Sequence, residues 1–98
     1  MTRNRPPTHP GAVLREDVLP AIGAPKTVIA RNLGISRQQL YGILDESRPV
    51  TPETAVRLGK LCGNGPGLWL RMQASYDLWF AERELADEVD GIPTMAAG

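Results

Sequence analysis

Ninety-eight residues with 42% hydrophobic content fit one small domain, and no apolar run approaches the ~20 residues needed to cross a membrane. One cysteine (Cys62) and one histidine (His9) exclude an internal disulfide and a zinc centre built on these residue types. Net charge is zero but segregated: nine basic and five acidic residues in 1–60 give +4, and two basic and six acidic residues in 61–98 give −4. A basic first half suits phosphate contact, and an acidic end suits a solvated tail or a basic partner.

The N-terminal stretch MTRNRPPTHPG has no apolar segment of the kind that directs secretion, so a cytoplasmic location is expected. Residues 1–8 read as a flexible arm, expected first as a disordered tail, with entry of Arg3 and Arg5 into a minor groove or contact with a partner as the alternative. Residues 9–89 read as the folded domain, and residues 90–98 as a frayed tail.

Five helices and no strand are predicted. The first starts near Pro10, with His9 as its cap or in a local hydrogen bond. It runs through Val13, Leu14, Val18 and Leu19 at 3.6-residue spacing and stops before Gly23. The second runs from about Pro25 to Leu33, and the third starts after Ser36 and ends near Asp45. After the loop ESRPV, Thr51-Pro52-Glu53 opens the fourth with a hydroxyl cap, a proline and a first-turn acid. Ala55, Leu58 and Leu61 carry it to Gly63, with Cys62 read as a small core residue. The linker GNGPG is a break. The fifth helix is expected from about Leu68 to Val89.

Residues 27–44, TVIARNLGISRQQLYGIL, have the layout of a helix-turn-helix. Ala30 is small where two helices cross, Gly34 suits a left-handed helix stop, and Ile35 pins the turn. Ser36 with Gln39 three residues later forms a capping box. Ile29 and Leu33 of one helix, and Leu40, Ile43 and Leu44 of the next, face inward.

Arg37, Gln38, Gln39 and Tyr41 then fall on the outer face as base readers, since Arg pairs with guanine and Gln with adenine in the major groove. Lys26, Thr27, Ser36 and Arg48 are expected to contact phosphates. Gly42 is expected to point outward with no side chain to read a base, while Asp45 and Glu46 place two negative charges at the helix end. Modest affinity is therefore expected, reached as a dimer and falling steeply with salt.

The fifth helix carries two apolar stripes. Trp69, Met72, Tyr76, Trp79 and Phe80 share one face, and Leu70, Ala74, Leu78, Ala81 and Leu85 the opposite one. A surface helix of a monomer has one such stripe. The first set is therefore expected to form a two-fold dimer interface, with partner binding as the competing use of the same surface. Asp77 is expected to pair with a helix end or an arginine.

The chain from His9 to Trp79, about seventy residues, resembles the HigA family of toxin–antitoxin antidotes within the lambda-repressor-like group. The likeness rests on His9-Pro10-Gly11 with Leu14-Arg15-Glu16, on Ala30 and Leu33-Gly34-Ile35-Ser36-Arg37-Gln38, and on Thr51-Pro52-Glu53 with Ala55, Arg57-Leu58 and Lys60-Leu61. Trp69-Leu70, Gln73 and Tyr76-Asp77-Leu78-Trp79 complete it. The family tends to carry a polar residue or arginine at the position of Gly42, and Asn-Gly at the positions of Asp45-Glu46.

The resemblance implies an all-α, five-helix fold and a homodimer that represses its own operon at a palindromic operator. It also implies a partner toxin, a HigB-like ribonuclease that cleaves messenger RNA. A stand-alone regulator without a toxin, and an antitoxin acting only by protein–protein contact, are the alternatives. No phosphate loop, metal cluster or nucleophile–base pair is visible in the sequence, so neither enzyme activity nor a cofactor is expected.

Overall fold

The computed structural model describes residues 5–96, and among these six helices and no strand occur. Helix α1 covers residues 10–22, as Pro10–Val13, a π-helical turn Leu14–Val18, and Leu19–Ile22. It is followed by α2 (Lys26–Leu33), α3 (Arg37–Leu44), α4 (Pro52–Cys62), α5 (Pro66–Glu84) and a short α6 (Ala86–Asp90). Arg3 lies outside the described residues, and Arg5 is exposed.

The π-helical turn in α1 departs from the plain helix expected. Pro20 has no N–H, and its ring crowds the carbonyl four residues back. The turn before it widens, and the Leu19 N–H donates to Leu14 O. Helix α5 starts two residues earlier than expected, because Pro66 fits the first helical position. It stops at Glu84, and Leu85 at φ −101° separates it from α6.

The termini follow local chemistry. Left-handed glycines close three helices: Gly23 (φ 72°), Gly34 (φ 75°) and Gly63 (φ 75°). Thr51 Oγ1 accepts from Thr54 N at 3.3 Å and caps α4.

The core is built by Leu14, Leu19, Ile29, Leu33, Leu40, Ile43, Leu44, Val50, Ala55, Leu58 and Trp69, with Ala30 at the crossing of α2 and α3. Cys62 is half-buried at its edge, where loss of hydration raises its thiol pKa.

Trp69, expected on the dimer face, is instead 1% exposed within the chain's own core, and its Nε1 donates to Asn64 Oδ1 at 3.1 Å. The reason is length. A 19-residue α5 reaches about 28 Å, and only its first turns lie in the bundle. There Trp69 is buried while Leu70 and Met72 pack on the core edge. Farther along, Tyr76 and Trp79 are half-buried, and Leu78 and Phe80 are exposed.

His9, Pro10 and Gly11 seat α1 against α3. The buried His9 caps α1, its Nδ1 accepting from Gly11 N at 2.9 Å, and its ring meets Tyr76 edge-on with centroids 4.8 Å apart. A Cβ on Gly11 would lie 1.8 Å from Ile43 O, so only glycine lets the two backbones approach this closely.

Two outcomes are expected. Gly11→Ala should destabilise the fold by about 2–3 kcal/mol through overpacking, read as a lower midpoint in urea. Burial lowers the His9 pKa, outweighing the opposing pull of Glu46 and Asp77. The unfolded chain then binds a proton that the folded chain refuses. The His9 contribution is thus fully present above about pH 6.5 and is lost as pH falls from there through the lower folded value. Urea titrations across pH 5–8 check this (range set by the histidine window), and His9→Asn should flatten that part of the profile.

Candidate nucleic-acid interface

Helices α2 and α3 form the unit that presents the candidate readers. Gly34 N donates to Arg31 O and Ile35 N to Ala30 O, both at 3.1 Å, closing α2 and turning the chain. Ser36 Oγ then accepts from Gln39 N at 3.0 Å, and Gln39 Oε1 accepts from Ser36 N at 3.1 Å. This reciprocal cap satisfies two donors at the start of α3. It also occupies the side-chain carbonyl of Gln39, leaving its amide NH2 to meet a ligand. Arg37 and Gln38, in the same first turn, are exposed.

Tyr41 is 45% exposed one turn farther along α3, with Lys26 Nζ 5.9 Å from its ring centroid. Lys26 and Thr27 are exposed at the N-terminus of α2, where the helix dipole favours an anion. The candidate residues Lys26, Thr27, Ser36, Arg37, Gln38 and Tyr41 therefore sit on α2 and α3 or the turn between them.

Gly42 is not on the outer face as expected. It is buried, and a Cβ there would lie 2.6 Å from Cδ and 2.8 Å from Cγ of Arg48. The loop after α3 folds back, with Ser47 N and Arg48 N both donating to Gly42 O at 3.0 Å. The apolar stem of Arg48 then crosses Gly42, and its guanidinium is carried beside α3. Absence of a side chain at Gly42 thus makes room for a cation from the loop.

The two acids at the helix end are likewise engaged. Asp45 Oδ1 accepts from Ser47 N at 2.9 Å, and the hydrogen bonds from Ser47 lower its carboxyl pKa. Glu46 has φ 66°, the left-handed region that favours glycine, and its carboxylate meets Arg15 Nη1 at 3.3 Å. Asn-Gly would meet both demands of this turn: a side-chain acceptor at 45 and a left-handed residue at 46.

Two arginines outside the helix-turn-helix hold its helix ends. Arg15 Nη1 of α1 donates to Leu44 O, the last carbonyl of α3, at 2.5 Å. Arg57 Nη1 of α4 donates to Leu33 O, the last carbonyl of α2, at 2.9 Å, and its Nη2 to Glu53 at 3.2 Å. A cation at a helix C-terminus opposes the negative end of the dipole. Both arginines fall in segments that carry the family resemblance, Leu14-Arg15-Glu16 and Arg57-Leu58. Their partners, 29 and 24 residues away, had no sequence signal.

No protein-family model matches the chain. It is 38% identical to virulence-associated protein I of Dichelobacter nodosus, over 81% of this chain and 73% of that protein. Its fold is similar to antitoxin GraA in complex with its operator, with TM-score 0.84 and 31% identity over 100% of this chain and 99% of that one. An addiction module antidote protein of a HigA family from Coxiella burnetii matches with TM-score 0.82 and 29% identity, over 94% and 100% of the two chains.

Arg15 and Arg37 should separate structure from contact. Arg15→Ala removes the cap on α3 and the Glu46 pair, and should cost about 1 kcal/mol in urea denaturation for a half-exposed group. Arg37→Ala, at an exposed site, should leave the urea midpoint within about 0.5 kcal/mol of the parent.

Proposed function

This chain belongs to the HigA family of helix-turn-helix antitoxins, and we propose that it represses its own operon as a homodimer and neutralises a partner toxin. The observation that carries this reading is the exposed first turn of α3, fixed by the Ser36–Gln39 cap, with Lys26 near Tyr41 and Arg48 against Gly42 one turn farther along. Arg37 and Gln38 read bases from that turn, together with the free amide of Gln39 and with Tyr41. Lys26, Thr27, Ser36 and Arg48 contact phosphates and set the register.

The outer half of α5 supplies the dimer contact. Phe80 (38% exposed) lies there against Tyr76 and Trp79, with Met72 nearer the core. Pairing α5 across a two-fold axis puts two α3 helices about 34 Å apart, one turn of DNA. The toxin is a small ribonuclease encoded beside the antitoxin. The protein works by binding, without a cofactor, in the cytoplasm. No helix among the described residues is long and apolar enough to cross a membrane.

Gel retardation on the chain's own promoter, with co-expression of the neighbouring reading frame, tests this. Arg37→Ala and Gln38→Ala should each weaken operator binding by at least about fivefold, the lower end of one lost base contact. The parent should bind less tightly as salt rises, sediment as a dimer at micromolar concentration, and rescue growth from the neighbour's toxicity. Unchanged binding by both variants would remove them as readers, and a monomer would remove α5 as the interface.

A further inference from the structure

We propose that Asp77 is a positioning residue for Arg48, acting through Gln73 on the backbone of Val50. The inference rests on the reading of Arg48 as a phosphate contact of an operator-binding protein. Gln73 lies on α5 at 5% exposure, and its Oε1 accepts from Val50 N at 2.8 Å. Its Nε2 donates to Asp77 Oδ1 at 2.9 Å. Asp77, one helical turn farther on, is exposed.

A side-chain amide has two orientations of nearly equal shape. Turned over, Gln73 would set its NH2 against the Val50 N–H and its carbonyl against a carboxylate. Asp77 accepts and cannot donate when ionised, so it selects the orientation that leaves the carbonyl for Val50. The bond is charge-assisted, which strengthens the selection.

Val50 anchors the far end of the loop that carries Arg48. The near end is held at Gly42 O by Ser47 N and Arg48 N. Pro49 between the two anchors has no N–H to donate. The Val50 side chain is 2% exposed in the core, so its backbone has one position while Gln73 holds it. When that bond is lost, Pro49 and the Arg48 backbone are free to shift, and the guanidinium moves relative to α3.

The sign of the effect separates positioning from bulk electrostatics. Removing an acid by itself makes the protein more positive and raises affinity for DNA. Asp77→Ala should do the reverse.

The experiment measures Val50 amide hydrogen exchange in the free protein, and operator binding against salt, for the parent and for variants. In Asp77→Ala, Val50 exchange should rise about tenfold. Operator affinity should fall about threefold to tenfold. In an Arg48→Ala background, Asp77→Ala should cause no further loss of affinity, because it then has nothing left to position and only the small gain from removing an acid remains. The pair Gln73→Glu with Asp77→Asn should recover Val50 protection, since the new amide at position 77 can donate to the new carboxylate. Unchanged Val50 exchange in Asp77→Ala would overturn the proposal. So would binding as tight as the parent's, or a loss that persists without Arg48. Failure of the parent to retard its own promoter would instead overturn the operator reading, and the role of Asp77 in binding with it.

Discussion

The close approach of α1 to α3 at Gly11 is the contact on which the presenting surface depends. Helix α3 has eight residues, too few to hold helical structure alone in water. It stays formed because its inner face is buried and both ends are held. Its start is satisfied within the segment by Ser36 and Gln39. Its end is held from outside, by Gly11 backed against Ile43 O and by Arg15 on Leu44 O. Were Gly11 larger, α1 would stand off and Arg15 would lose its reach. The same contact explains why His9, Pro10 and Gly11 occur together: a buried cap, a helix-starting ring and a missing side chain make one close-packed corner.

From that corner the network runs to α5. His9 meets Tyr76, Tyr76 meets Phe80 with ring centroids 5.0 Å apart, and Trp79 meets Phe80 at 5.1 Å. Gln73, on the same helix, reaches the loop after α3. One helix therefore supports the α3 region from two directions and extends beyond the bundle. Its inner turns pack against the core while its outer turns leave apolar surface uncovered. Such an element is suited to link what docks on its outer half with how α3 is held, because the same side chains serve both.

Much of this was legible from sequence spacing. The caps at Ser36 and Thr51, the stops at Gly23, Gly34 and Gly63, and the inward set Leu40, Ile43 and Leu44 all follow from rules that act within one or two helical turns. Where spacing misled, a distant or folded-back partner had intervened. Helical phase put Gly42 outside, and a loop returning over it put it inside. Phase also grouped Trp69 with Trp79, but the bundle covers the first and ends before the second. Asp45 and Glu46 read only as two negative charges at the helix end, and distant or local partners gave them structural roles besides: one closes a turn and the other pairs with Arg15.

The sequence by itself determined the course and ends of α2, α3 and α4, the helix-turn-helix and the exposure of Arg37 and Gln38, because each depends on residues three or four apart. Only the tertiary structure decided how that unit is held. Arg15 to Leu44, Arg57 to Leu33 and Gln73 to Val50 are contacts between residues 29, 24 and 23 apart. No periodicity joins such positions. They meet because burying the apolar faces of α1, α4 and α5 brings polar side chains to backbone groups that would otherwise lack a partner.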